Sequence, residues 1–265
     1  MDPVLAFLAG MLQGVTEWLP ISSSGQVLVL LGNLGMDADD ALALAFFLHF
    51  GTLLAVVVRL RGDVVEVVGN LPKWRTDPMV RFLLIATLVS LPIGFVLVQT
   101  LEEVVEGSLG GVFLTVLVGA MLIITGFVLR AAKGKLGERK VEDMAAGDAA
   151  VIGFVQGLAA LPGISRSGMT VSALLIDKVD ADEALRLSFI MSIPVTIAVV
   201  LYELVVWDLA SIGAMPIVIG VVSSFVFGYL TIDGLMALSR RIDWSVFCVA
   251  FGGIAIIAGV VLMFV

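Results

Sequence analysis

Apolar residues run along this chain in stretches too long for a soluble core. Six of them, roughly 41–60, 80–101, 109–131, 184–206, 212–239 and 244–265, match the about 20 residues that a helix needs to cross a bilayer's hydrocarbon. Each predicts a transmembrane helix. Two further stretches, 4–36 and 148–177, are interrupted by Pro20 and by Pro162-Gly163, followed by serine-rich turns. Proline cannot continue a helix, and each remaining half is too short to span, so both stretches predict re-entrant helical hairpins. Backbone that leaves the helix at membrane depth is tolerated only where protein buries it or where it lines a watery cavity. The two breaks therefore mark where a site is expected.

The pattern repeats. Sliding the sequence by 143 positions aligns Gly10–Val57 with Gly153–Val200 without a gap, and about 18 of those 48 positions are identical. Gln13 meets Gln156, Ser22 meets Ser165, Ser24-Gly25 meets Ser167-Gly168, and Asp37-Ala38-Asp39 meets Asp180-Ala181-Asp182. Self-similarity on this scale marks an internal duplication. Each half, 1–140 and 141–265, holds one hairpin and three spans, and an odd number of spans makes the second copy start from the opposite face. The expected fold is an all-α integral membrane protein, a single membrane domain over 1–265 built as an inverted repeat. Charge agrees. Arg59, Arg61, Lys73, Arg75, Arg81, the segment from Arg130 to Lys140, and Arg240-Arg241 fall in loops on one side, while Asp37, Asp39, Asp40, Glu102, Glu103, Glu106 and Asp208 fall on the other. Basic loops stay cytoplasmic, so the first hairpin is expected to dip in from outside, the second from the cytoplasm, with their tips meeting near the midplane.

Composition excludes other classes. The chain is 60% hydrophobic and 14% charged, with a mean hydropathy of +1.14, far from the balance of soluble domains. A net charge of −8 argues against nucleic acid, which requires a basic surface, and the preference for arginine over lysine suits a salt-loving source. No cleavable signal peptide is expected, because Met1-Asp2 offers no basic start and Gln13 and Glu17 interrupt the first apolar run. The single cysteine, Cys248, permits no intrachain disulfide and is expected to pack or to face lipid.

Three residues stand out as chemistry. Glu17 follows Gln13 by four positions, on the same helix face. A carboxylate at that depth is a functional candidate, the plainer reading being an ion pair with an arginine. Arg166, the repeat counterpart of Ser23, offers a permanently charged, forked guanidinium that suits phosphate. The serines around both breaks cap helices, and the freed N–H groups at such helix starts favour an anion. His49 is the sole histidine and lies mid-span. It reads either as a packing residue or as a cavity-facing acid or base that assists or orients Glu17. Arg186, Glu203 and Asp233 are further candidates for buried charge, the first two near enough to span ends to snorkel.

Gln13-Gly14-Val15-Thr16-Glu17-Trp18-Leu19-Pro20-Ile21-Ser22-Ser23-Ser24-Gly25, together with Pro162-Gly163-Ile164-Ser165-Arg166-Ser167-Gly168-Met169-Thr170, resembles the undecaprenyl-pyrophosphate phosphatase family linked to bacitracin resistance, in an archaeal-like form. The resemblance covers essentially the whole chain. It implies a multi-pass cell-membrane enzyme that removes the terminal phosphate of a long isoprenoid pyrophosphate at the outer face. Such an enzyme recycles the lipid carrier of cell-wall glycans. A divalent cation, Mg²⁺ or Ca²⁺, is implied, with Glu17 its candidate ligand, and a homodimer is an open assembly. By motif, Glu17 is the essential carboxylate, Ser23 the nucleophilic hydroxyl and Arg166 the phosphate-binding arginine. Gln13, Ser22, Ser24, Gln26, Ser165, Ser167 and Thr170 are then expected to contact substrate. Gln26 departs from the pattern, standing where many members carry a catalytic histidine, and His49 is the expected substitute. A lipid-phosphate transporter using the same midplane site is the rival reading.

Overall fold

The computed structural model describes residues 1–105, 110–135, 137–206, 212–239 and 241–262. Glu106, Asp208 and Arg240, which entered the charge argument, lie outside them. Among the described residues the chain is helical from end to end: α1 (Pro3–Thr16), α2 (Ser23–Asn33), α3 (Ala38–Phe47), α4 (His49–Arg59), α5 (Arg61–Asn70), α6 (Pro78–Val105), α7 (Gly110–Ala132), α8 (Ala146–Leu158), α9 (Arg166–Ile176), α10 (Ala181–Val206), α11 (Ala214–Ser239) and α12 (Trp244–Leu262). Six stretches are long and apolar enough to cross a membrane: Ala38–Arg59, Pro78–Leu101, Val112–Ala132, Ala181–Val206, Ala214–Leu238 and Trp244–Val261. They coincide with the six expected spans. The chain is an all-helical, multi-pass membrane protein.

Local chemistry sets the boundaries. Asp2 caps α1 by accepting from the Val4 N–H (2.8 Å), and Pro3 occupies a first-turn position where its missing N–H costs nothing. Between α1 and α2, and again between α8 and α9, the chain leaves the helix over residues 17–22 and 159–165, at the two prolines. The first span is also interrupted, at Leu48 between α3 and α4, which the hydropathy pattern did not reveal. Ser224 of α11 donates its hydroxyl to the Leu48 carbonyl (2.9 Å), supplying from a neighbouring helix the partner that such a break requires in lipid.

Packing is reciprocal between the halves. Helix α1 lies along α11, α8 along α6, and α7 along α12. Lipid tails are as apolar as leucine, so helices in a bilayer associate through close backbone approach rather than apolar burial. Small residues provide that approach: a methyl group on Gly14 would sit 2.6 Å from the Ser224 carbonyl, and one on Gly119 would sit 2.6 Å from that of Gly252. Cys248 is buried and donates its thiol to the Pro20 carbonyl (3.2 Å), so it packs against the first break rather than facing lipid.

Two expected buried charges are corrected. Asp233 is exposed and pairs with Arg59 (2.9 Å), because it lies near the end of α11 level with the end of α4. Glu203 does not snorkel; it is fully buried, on the side of α10 that faces inward. Arg186 is half-exposed and pairs with Asp63 (2.6 Å) and Glu183 (3.4 Å).

The glycine contacts give a matched test. Gly14→Ala must displace backbone and should cost about 1–3 kcal/mol, whereas Gly32→Ala, with nothing within 4 Å of the added methyl, should be neutral or stabilising by up to about 1 kcal/mol. Thermal unfolding in detergent measures both.

Candidate active site

The two breaks touch. The Gly163 N–H donates to the Ser22 hydroxyl oxygen (2.9 Å), joining residues 141 positions apart. Ser22 sits in the left-handed region at φ 60°, a conformation costly for a side chain unless its surroundings hold it, while Gly163 at φ +97° occupies one that only glycine adopts freely. Ser22 and Ser165 are the N-caps, accepting from the N–H groups of Gly25 (3.3 Å) and Gly168 (3.1 Å). Thr125 of α7 braces the second break, accepting from the Ser165 N–H (3.2 Å) and donating to the Gly163 carbonyl (3.4 Å).

Glu17 is the hub of what these breaks assemble. One carboxylate oxygen meets Arg166 Nη2 at 2.6 Å. The other accepts from Ser23 Oγ (2.6 Å) and Gln13 Nε2 (3.0 Å) and lies 3.5 Å from His49 Nε2. Arg166 donates also to the Ser188 carbonyl (3.2 Å), and its guanidinium lies over the Phe189 ring, 5.6 Å from the centroid. His49 Nδ1 lies 2.8 Å from the Ala45 carbonyl. A carbonyl only accepts, so Nδ1 carries a proton and Nε2 is the nitrogen turned to Glu17.

A cavity of about 170 Å³ collects most of the expected residues: Glu17, Ser22, Ser23, Ser24, His49, Ser165, Arg166 and Ser167 all line it. Three do not. Gln13 stands behind Glu17, fully buried; Gln26 donates its amide to the Ile21 carbonyl (3.1 Å); and Thr170 meets the Ser188 hydroxyl (2.7 Å) and the Arg166 carbonyl (2.8 Å). Sequence reasoning missed Thr125, Ser188 and Phe189, which hold the second break and Arg166, and also Ser90 and Gln156 on the cavity wall, where Glu203, a candidate for buried charge, lies too. Of the missed residues only Gln156 carried a signal, as the repeat copy of Gln13.

A divalent cation has a partial seat here. Among the described residues no three His, Cys, Asp or Glu side chains converge on one point, so no protein cage exists. Glu17 supplies one carboxylate, and the buried Gln13 Oε1 has no hydrogen-bond partner. Mg²⁺ usually takes one or two carboxylates and completes its shell with phosphate oxygens and water, so a cation carried by a phosphate substrate fits this donor set.

Known proteins are similar in sequence to this chain over nearly its whole length. The sequence profile of the family described as "Bacitracin resistance protein BacA" matches residues 6–260. A protein of Haloarcula marismortui named "Undecaprenyl-diphosphatase" is 39% identical over 268 residues, covering 98% of each chain. One of Methanothrix thermoacetophila with the same name is 37% identical, over 97% of this chain and 96% of its own. "Undecaprenyl-diphosphatase 4" of Bacillus cereus is 31% identical, over 97% and 96%.

The ion pair sets a stability test. Arg166→Met leaves the Glu17 carboxylate buried without its cation and should cost about 3–5 kcal/mol. Adding Glu17→Gln removes that orphan charge, so the double variant should unfold in detergent at a higher temperature than Arg166→Met alone.

Proposed function

Because the chain belongs to the bacitracin resistance protein BacA family, we propose that it is a membrane phosphatase that hydrolyses an undecaprenyl-type pyrophosphate to the monophosphate and phosphate. The observation that carries this reading is Glu17, one carboxylate joined to a hydroxyl and to a guanidinium across the two broken hairpins. A carrier would need the guanidinium but no activated nucleophile, and no observation favours one.

The pyrophosphate enters the cavity and takes up the fork of Arg166, whose five N–H donors allow it to bind phosphate while still touching Glu17. The N–H groups opening α2 and α9 add the positive ends of two helix dipoles. Glu17 draws the proton from Ser23, and the serine oxygen, or a water in its place, attacks the terminal phosphorus in line. The isoprenyl monophosphate leaves; where serine has attacked, a water then hydrolyses the phosphoserine ester, which releases phosphate and returns the proton to Ser23 through Glu17. Charge spreads over the equatorial oxygens during transfer, so a fixed cation beside them is where most of the acceleration arises. Glu17 and the substrate's own oxygens would hold a Mg²⁺ or Ca²⁺, which would supply neutralisation of the phosphate charge. His49 is the auxiliary proton carrier: its Nε2 holds or returns the proton that Glu17 accepts, the role that Gln26 cannot take.

Inverted, re-entrant halves are the reading that the reciprocal packing of α1 on α11 and α8 on α6 supports. Among the cavity walls are the later halves of α6 and α10, and Lys73 and Arg75 precede α6, which carries Arg81 in its first turn. Basic segments stay cytoplasmic, which supports a site opening to the outer face.

Phosphate release from farnesyl or longer pyrophosphates in detergent tests the mechanism. Arg166→Lys should lose about 10²-fold or more in kcat, because a point ammonium lacks the fork. Glu17→Gln should be folded and inactive, and His49→Ala should lower kcat by about 10². Near-normal turnover in any of the three removes that residue from its role. Single cysteines in a Cys248→Ser background should react with a membrane-impermeant reagent at position 37 from outside and at position 73 only from within. Same-side labelling overturns the inverted arrangement.

A further inference from the structure

The cavity is polar at its two ends and apolar between. Arg166, Glu17 and the serines form the inner end, and Glu203 lines the far end of the α10 wall. The wall between them is built by two matching stripes. On α6 the apolar lining residues are Leu91, Gly94, Phe95 and Val98, beside Ser90, and on α10 they are Val195, Ala198, Val199 and Tyr202, with the hydroxyl of Thr196 among them. Both follow the spacing i, i+3, i+4, i+7 that puts side chains on one helix face, and both carry their smallest residue at the second position. A proline stands beside the start of each stripe, Pro92 and Pro194 inside their helices, where it removes a backbone hydrogen bond and frees the helix to bend.

The stripes are bridged at one place. The rings of Phe95 and Tyr202 meet edge to face, centroids 5.7 Å apart at 87°. Phe95 is about half exposed toward the lipid side, and the residues outside this bridge, Val96, Ile197 and Leu201, are exposed too. Phe95 and Tyr202 both line the cavity, and their ring contact joins the two stripes beside Gly94 and Ala198.

We infer that the seam between α6 and α10 is where the isoprenyl chain of the substrate leaves the cavity, with Phe95 and Tyr202 as its gate and Gly94 and Ala198 as its floor. This deepens the phosphatase reading and rests on it. An amphiphile whose pyrophosphate is held at Arg166 must put its first isoprene units somewhere continuous with that site. Water at the mouth and the buried carboxylate of Glu203 are unfavourable neighbours for an alkenyl chain. Between those polar ends the seam offers apolar lining on both sides, and it faces lipid, so a chain many isoprene units long never has to be drawn wholly into the protein. Edge-to-face rings hold by a modest contact, which an arriving chain replaces with its own.

Photolabelling with a farnesyl pyrophosphate analogue that bears a diazirine on its second isoprene unit tests the path, with phosphate release measured on the same preparation. Label should appear within residues 91–98 and 195–202 and be displaced by unlabelled farnesyl pyrophosphate. Ala198→Trp, which fills the floor, should lower the ratio of kcat/KM for undecaprenyl over dimethylallyl pyrophosphate by about tenfold or more, since only the longer chain needs several methylenes' worth of seam contact. A misfolded variant would lose both substrates together, and the ratio cancels that loss. Label confined to α7 or α12, or an unchanged ratio, with normal phosphate release, overturns the seam alone. Absence of phosphate release from every pyrophosphate in the unaltered protein overturns the phosphatase reading beneath it.

Discussion

The contact between Glu17 and Arg166, 2.6 Å across two broken helices, is the constraint from which the rest of this structure follows. Neither charge is tolerable alone at that burial, so the residues carrying them must meet. They stand 149 positions apart and in different halves. Meeting requires each half to bring a helix to an end inside the protein, and a helix end inside an apolar medium exposes N–H and carbonyl groups that need partners. Ser22, Ser165, Thr125 and the thiol of Cys248 are those partners. Ser22 and Ser165 therefore cap helices, as the plainest sequence reading had it.

Helices that stop midway lose length with which to grip their neighbours. The compensation is close packing by small residues along α1 and α11, α6 and α8, and α7 and α12, where glycines let backbones approach until an added methyl would strike a carbonyl. These contacts exchange elements between the halves, so each broken hairpin is supported by the intact spans of the other. A rigid frame of this kind holds Glu17, Ser23 and Arg166 at hydrogen-bonding distance before any ligand arrives, and preorganised charge is what phosphoryl transfer uses.

Much of this was legible in the sequence because lipid admits few structures. Span lengths follow from bilayer thickness, and the six spans matched within a few residues. The 143-residue repeat identified the partner of each motif, so Ser23 and Arg166 were expected at equivalent positions before any geometry was known. Contacts made by residues with no distinctive sequence context stayed hidden. Nothing in the sequence marks Ser188, whose carbonyl and hydroxyl hold Arg166 and Thr170, or Thr125, because any hydroxyl on any span looks alike until the spans are packed. The break at Leu48 was hidden for a similar reason: the apolar run continues through it, and the hydroxyl that meets its carbonyl stands on α11. Glu203 and Asp233 were misjudged in opposite directions, since depth along a helix can be read from sequence, but which way the side chain turns depends on the neighbours.

The same hub carries a tension that bears on how the enzyme works. In the proposed mechanism Glu17 takes a proton from Ser23, while the substrate would bring several negative charges to within reach of that carboxylate, and like charges in a poorly screened cavity repel strongly. Arg166 cannot neutralise both fully, because its fork is divided between the carboxylate and the phosphate. In that mechanism two groups would share the remaining screening: a cation travelling with the pyrophosphate would act on the phosphate, and the imidazole of His49, whose Nε2 lies 3.5 Å from Glu17, would act on the carboxylate. The imidazole reaches the same carboxylate oxygen that meets Ser23 Oγ, so it stands where a proton shared between the two would pass.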